Sequence, residues 1–122
     1  MKKEYLIYII TGLLVLAGII FAIIYKNKPI VLSNNLTLFV KDGCPHCTNV
    51  EKFITDNKVN DKVLVEQKNI GSSQNIKEMI AYSQKCGLDT NNLGTPLLWT
   101  GTEGKCIVGD VDIISYLTEK TK

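Results

Sequence analysis

From Tyr5 to Tyr25 the chain carries no charge and only Thr11, Gly12 and Gly18 interrupt its apolar residues, so the stretch has no polar face at any period. A segment that is apolar all round belongs in lipid or in a large core, and about 20 residues at ~1.5 Å each cross the ~30 Å hydrocarbon layer. Lys2, Lys3 and Glu4 precede it, Lys26 and Lys28 follow, and Tyr5, Tyr8 and Tyr25 stand where interfacial aromatics collect. The pattern predicts a tail over residues 1–4 and one transmembrane helix over 5–25. A cleaved signal peptide would have a shorter apolar part, roughly 7–15 residues, and small residues two apart at its exit. Phe21-Ala22-Ile23-Ile24-Tyr25 offers no such pair, so an uncleaved anchor is expected. Lys2, Lys3 and the terminal amine slightly outweigh Lys26 and Lys28, which places the tail in the cytoplasm and the rest of the chain outside a cell membrane.

Beyond the span the pattern breaks into short elements. Residues 26–35 are polar, contain Pro29 and lack periodicity, which reads as a tether of about 35 Å at full stretch. The remainder, 36–122, is one small domain. Leu36-Thr37-Leu38-Phe39-Val40 is a buried strand ending at the turn signal Lys41-Asp42-Gly43. Pro45 suits a first helical position, and Cys47, Val50, Phe53 and Ile54 recur at helical spacing, predicting a helix to about Asn57. Val63 to Asn69 is a second strand. Ser72 or Ser73 caps a helix whose buried stripe is Ile76, Met79 and Ile80 and which stops at Gly87. Pro96 to Trp99 and Lys105 to Val108 flank Gly101-Thr102-Glu103-Gly104 as a hairpin, and Asp110 caps a last helix carrying Ile113, Ile114 and Leu117. A crossover pair of strands followed by a hairpin and a closing helix predicts an α/β sandwich on a mixed sheet.

Charge narrows the function. From Lys26 onward the lysines and acids nearly balance and are interleaved, and the chain has no arginine. Phosphate and base recognition rely on clustered cations and on the guanidinium fork, so no nucleic-acid partner is expected. No internal repeat and no glycine-rich phosphate loop is present.

The chemistry concentrates at Cys44-Pro45-His46-Cys47, directly after a strand and opening a helix. There the first sulfur faces unpaired helical N–H groups and the positive end of the dipole, which lowers a cysteine pKa to roughly 3.5–7.5. Cys44 is then the nucleophile, and Cys47, one turn further in, resolves the mixed disulfide. His46, as imidazolium, favours the thiolate and the reduced form, which raises the reduction potential. The alternative is a metal site of Cys44, His46 and Cys47 without redox turnover, in a tethered binding or docking module. Structural zinc, however, takes four ligands, usually with a second ordered pair, and His46 is the only histidine.

The stretch from Leu36 to Lys122 resembles the thioredoxin superfamily, nearest to glutaredoxins in size and element order. Four features carry the resemblance: the Cys44-Pro45-His46-Cys47 motif, Lys41 three residues before it, Thr95-Pro96 at the third strand, and Gly109-Asp110 before the last helix. The tetrapeptide itself is that of DsbA-type disulfide oxidases, whose helical insertion this chain has no room for. The resemblance implies a three-layer sandwich of order β-α-β-α-β-β-α, a cis Pro96 facing the cysteines, and a substrate chain docking at Thr95. Without it, Pro96 reads as a trans residue opening an edge strand. It also implies no bound cofactor, with glutathione as the cosubstrate to test and Lys41 as its carboxylate partner; from charge alone Lys41 is a solvated turn residue. Two departures stand out. Leu38 occupies the position where thioredoxins keep a buried carboxylate, and Gly94-Thr95-Pro96 and Val108-Gly109 match the glutathione-binding pattern incompletely.

Cys86 and Cys106 remain open between a structural disulfide, separate thiols and a second redox pair. Trp99 reads as strand core. Asn35-Leu36-Thr37 fits a glycosylation triplet common by chance. The expected activity is thiol-disulfide exchange with protein thiols and disulfides, recycled by a membrane or soluble redox partner: oxidation or isomerisation if the domain faces outward, reduction if it faces inward.

Overall fold

A computed structural model describes residues 2–26 and 30–122, which fall into two compact units, one that contains the first helix and runs to Ile30 and one over Val31–Lys122. Helix α1, Lys2–Lys26, takes in residues 2–4 of the expected tail as well as the apolar run, while residue 1 lies outside the described residues. Its most apolar 18-residue window has a mean hydropathy of 2.8, all its side chains are exposed, and it is the one helix among the described residues long and apolar enough to cross a membrane. Of the tether expected at 26–35, residues 27–29 lie outside the described residues.

The second unit is built on four strands, β1 (Leu36–Val40), β2 (Val65–Asn69), β3 (Leu97–Thr100) and β4 (Cys106–Val108), in the order β2-β1-β3-β4. β1 runs parallel to β2, with Leu36 beside Val65, and antiparallel to β3, with Phe39 beside Leu97. β3 and β4 are antiparallel. All five residues of β1 are buried, as a strand covered on both faces must be.

Alternation along β1 sorts the core. Leu36, Leu38 and Val40 pack with Val50 and Ile54 of α2 (Pro45–Asp56) and with Ile113 and Leu117 of α4 (Asp110–Lys120). Phe39 turns to the opposite face, where it meets Met79 and Tyr82 of α3 (Ser73–Lys85) together with Leu97 and Trp99. Tyr82 lies between Phe39 and Trp99, with ring centroids 5.5 and 4.9 Å away. The unit is therefore a helix pair, a mixed sheet and a single helix.

Several local expectations give way to tertiary contacts. β2 starts at Val65 rather than Val63, because a 3₁₀ turn over Val59–Asp61 buries Val59 and Asn60 Oδ1 accepts the Val65 N–H at 3.0 Å. The buried face of α3 is Met79, Tyr82 and Ser83, while Ile76 is exposed and Ile80 half-buried. Tyr82 can be buried because its hydroxyl accepts the Ser33 N–H at 2.8 Å. Ser72 occupies the N-cap of α3 but makes no capping bond. Gly109, at φ 96°, is the N-cap of α4, so Asp110 is its first residue and not its cap. The hairpin turn is 3₁₀ over Gly101–Glu103, and Lys105 belongs to the turn.

The second compact unit begins at Val31, so the later part of the expected tether is packed on the domain. Leu32 packs against the Phe39 cluster and the Trp99 Nε1–H donates to the Ser33 carbonyl at 2.8 Å. Gly101, at φ 64°, lets the Asn34 backbone approach so closely that any Cβ there would collide with it.

Candidate active site

The carboxyl end of β1 delivers the cysteines. Gly43, at φ 70°, turns the chain through a conformation suited to glycine, and Cys44 follows as the N-cap of α2 with extended backbone. Pro45 is the first helical residue, where a missing N–H costs nothing. The Cys47 N–H, otherwise an orphan of the first turn, donates to Cys44 Sγ at 3.2 Å. Thr48 donates to the Cys44 carbonyl through its N–H at 3.1 Å and its hydroxyl at 3.2 Å, which fixes the backbone at the cap.

Cys44 and Cys47 are joined by a disulfide, with Cα atoms 5.3 Å apart. Cys47 is 1% exposed, whereas Cys44 is only half-buried. Of the two sulfur-bearing residues, Cys44 is therefore the more accessible from solvent. Beneath the pair, in the same cluster, sits Leu38, fully buried, so the position carries hydrocarbon and no proton acceptor.

Thr95 closes the other side. Its hydroxyl donates to Cys44 Sγ at 3.7 Å, and its carbonyl oxygen is also 3.7 Å from that sulfur. The Thr95–Pro96 bond is cis, Pro96 is buried, and the Pro96 carbonyl accepts the Gly109 N–H at 3.0 Å. The start of α4 thus holds the loop that holds Cys44.

His46 is exposed, and its Nδ1 lies 3.1 Å from Asp110 Oδ1. A carboxylate only accepts, so this nitrogen carries the proton. Asn49 donates through Nδ2 to Asp110 Oδ2 at 2.7 Å. The bond from Asn49, then that from His46, holds the Asp110 carboxyl below the usual carboxylate range.

Cys44, His46, Cys47, Thr95 and Pro96 are thus brought together. Lys41, just after β1, is exposed and lines a surface hollow together with Asp42, Asn69, Ile70, Gly71 and Ile76. Cys86, at the end of α3, and Cys106, in β4, form a second disulfide with Cα atoms 5.9 Å apart. It packs with Phe39, Tyr82 and Trp99 on the face opposite to the one that holds Cys47. Asp110 and Asn49 escape the sequence reading as site residues. The available signal was the three-residue spacing of His46 and Asn49, which puts both on one side of a helix. Among the described residues no group of three or more His, Cys, Asp or Glu side chains is placed to hold a metal ion.

No protein-family model matches the chain, and no curated protein matches it significantly in sequence.

Proposed function

We propose that this protein is a membrane-anchored thiol-disulfide oxidoreductase of thioredoxin and glutaredoxin type that exchanges disulfides with protein substrates through Cys44 and Cys47. One observation carries the reading. A half-exposed sulfur at a helix N-cap receives the Cys47 N–H and the Thr95 hydroxyl, and is bonded to a buried second sulfur one turn away. Both donors stabilise negative charge on Cys44, making it a good leaving group as well as a nucleophile.

In the oxidative direction a substrate thiolate attacks Cys44 Sγ, the Cys44–Cys47 bond breaks, and Cys47 leaves as a thiolate that takes up a proton. A second substrate thiolate attacks the substrate sulfur of the mixed disulfide, and Cys44 leaves as its thiolate. Two electrons pass from the substrate thiols to the pair, and a redox partner removes them. Run backwards, the same steps reduce a substrate disulfide, with Cys44 attacking and Cys47 resolving. Glutathione is a candidate cosubstrate, with Lys41 its candidate carboxylate partner. Thr95 and Pro96 are the proposed substrate-docking residues, and His46 adjusts the poise of the pair. A bonded Cys86–Cys106 suits an oxidising compartment, which favours a domain outside the cytoplasm.

The test is insulin-disulfide reduction and dithiothreitol oxidation by the full chain in detergent. Cys44→Ser is expected to remove the activity, and Cys47→Ser to accumulate a mixed disulfide at Cys44. Activity untouched by Cys44→Ser would reject the proposal.

A further inference from the structure

Two side chains of α2, His46 and Asn49, reach one carboxylate on the first turn of α4, Asp110. The side chain of Asp110 is 15% exposed and that of His46 is 68% exposed. The carboxylate is therefore the fixed member, and the imidazole is oriented by it. The residue before it, Gly109, bonds the Pro96 carbonyl. A single turn of α4 thus holds both the motif helix and the loop whose Thr95 touches Cys44.

An ion pair this exposed contributes little to stability, so its consequence is sought in the field at Cys44. A cation beside the first cysteine favours its thiolate, stabilises the dithiol and makes the pair more oxidising. An anion bonded to that cation opposes the effect. We propose that Asp110 is a positioning residue which, by holding His46 and balancing its charge, restrains the oxidising power of the Cys44–Cys47 pair. This rests on the reading of the pair as an exchange catalyst. The equilibrium concerned is the Cys44–Cys47 disulfide plus two small thiols going to the dithiol plus one small disulfide, two electrons and two protons passing to the protein.

The full chain in mild detergent is equilibrated with graded reduced and oxidised glutathione at one fixed pH for all variants. Acid quench, alkylation and mass spectrometry of the peptide holding Cys44 and Cys47 keep the Cys86–Cys106 pair out of the count. Asp110→Asn is expected to shift the equilibrium toward the dithiol by about tenfold, or ~30 mV for a two-electron couple. Asp110→Glu, which restores the charge, is expected to stay close to wild type. In a His46→Phe background the shift caused by Asp110→Asn is expected to fall below about twofold, since the effect acts through the imidazole. If Asp110→Asn fails to fold, Asp110→Ser, also suited to a helix start, carries the same expectation. No shift, a shift toward the disulfide, or equal shifts in both backgrounds would overturn the proposal. A wild-type pair that exchanges normally while the variants fail to shift removes this inference alone. A wild-type pair that never equilibrates with glutathione, and also fails with insulin, removes the oxidoreductase reading beneath it.

Discussion

The Cys86–Cys106 bond joins residues 20 apart in sequence, from the end of α3 through an irregular stretch and β3 to β4. In the chain-entropy account a loop of that size loses 2.1 plus 1.5R ln n of entropy, about 11 cal/mol/K, so the bond stabilises the fold by about 3 kcal/mol at 25 °C. The perturbation is the double substitution Cys86→Ala and Cys106→Ala. Both side chains are half-buried and small, so the cavity contribution stays minor beside the entropy. Trp99, the single tryptophan, faces Cys106 in the β3–β4 register and packs in the same cluster as the bond, so its fluorescence follows unfolding. Urea denaturation of the oxidised full chain in mild detergent, with a slope of about 1 kcal/mol/M for so small a domain, should show the midpoint falling by about 2–3 M. Substitution is preferred to reductant because reductant would open Cys44–Cys47 as well. A fall below about 0.5 M at unchanged slope would mean that other contacts already hold residues 87–105, and the entropic argument would be refuted.

Two further outcomes follow from single contacts. Thr95→Val keeps the shape beside Cys44 but removes its hydroxyl donor, so iodoacetamide should alkylate Cys44 of the reduced protein about three- to fivefold more slowly at pH 7, the worth of one modest hydrogen bond; an unchanged rate would dismiss the contact. The Tyr116 hydroxyl donates to Glu103 Oε1 at 3.0 Å, and burial, then this bond and the charge of Glu103, push the phenol up to about 12. Because the folded state holds that proton more tightly than an unfolded tyrosine with its ordinary pKa near 10, the contribution to stability is complete below about pH 10 and is lost as pH rises toward 12. Absorbance titration should show one tyrosine ionising near pH 12 that Tyr116→Phe removes and Glu103→Gln moves to lower pH; a high-pH step that persists in Tyr116→Phe would disprove the assignment.

The elements legible in the sequence are those whose determinants are local or unambiguous. Five consecutive buried positions, too few for a helix, leave Leu36–Val40 only the role of a central strand. Gly43, Cys44 and Pro45 write the strand-to-helix turn within three residues. The stripe of α3 was not legible on the same grounds. Ile76, Met79 and Ile80 make as good a stripe as Met79, Tyr82 and Ser83, and the second is the one buried where Tyr82 meets Phe39 and Trp99 and Ser33, 49 residues away, satisfies its hydroxyl. Residues 31–35 look like tether because nothing in them forecasts a tryptophan donor 66 residues on.

The candidate site divides along the same line. Its sulfurs are three residues apart and announce themselves by type and spacing. The groups that complete the site come from far along the chain: Thr95, 51 residues from the Cys44 it touches, and Asp110, 64 residues from the His46 it holds. Asp110 is the instructive case, because an aspartate at the start of a helix satisfies the local rule for a cap and ends the search for another role. Here Gly109 takes the cap position, at a φ where glycine is at ease, and frees the carboxylate to face His46 and Asn49. An acidic residue directly after a glycine at a helix start thus has two physically distinct uses, and the fold decides between them by what it packs opposite. In this fold α2 and α4 share one face of the sheet, so the group opposite Asp110 is the imidazole of the cysteine motif.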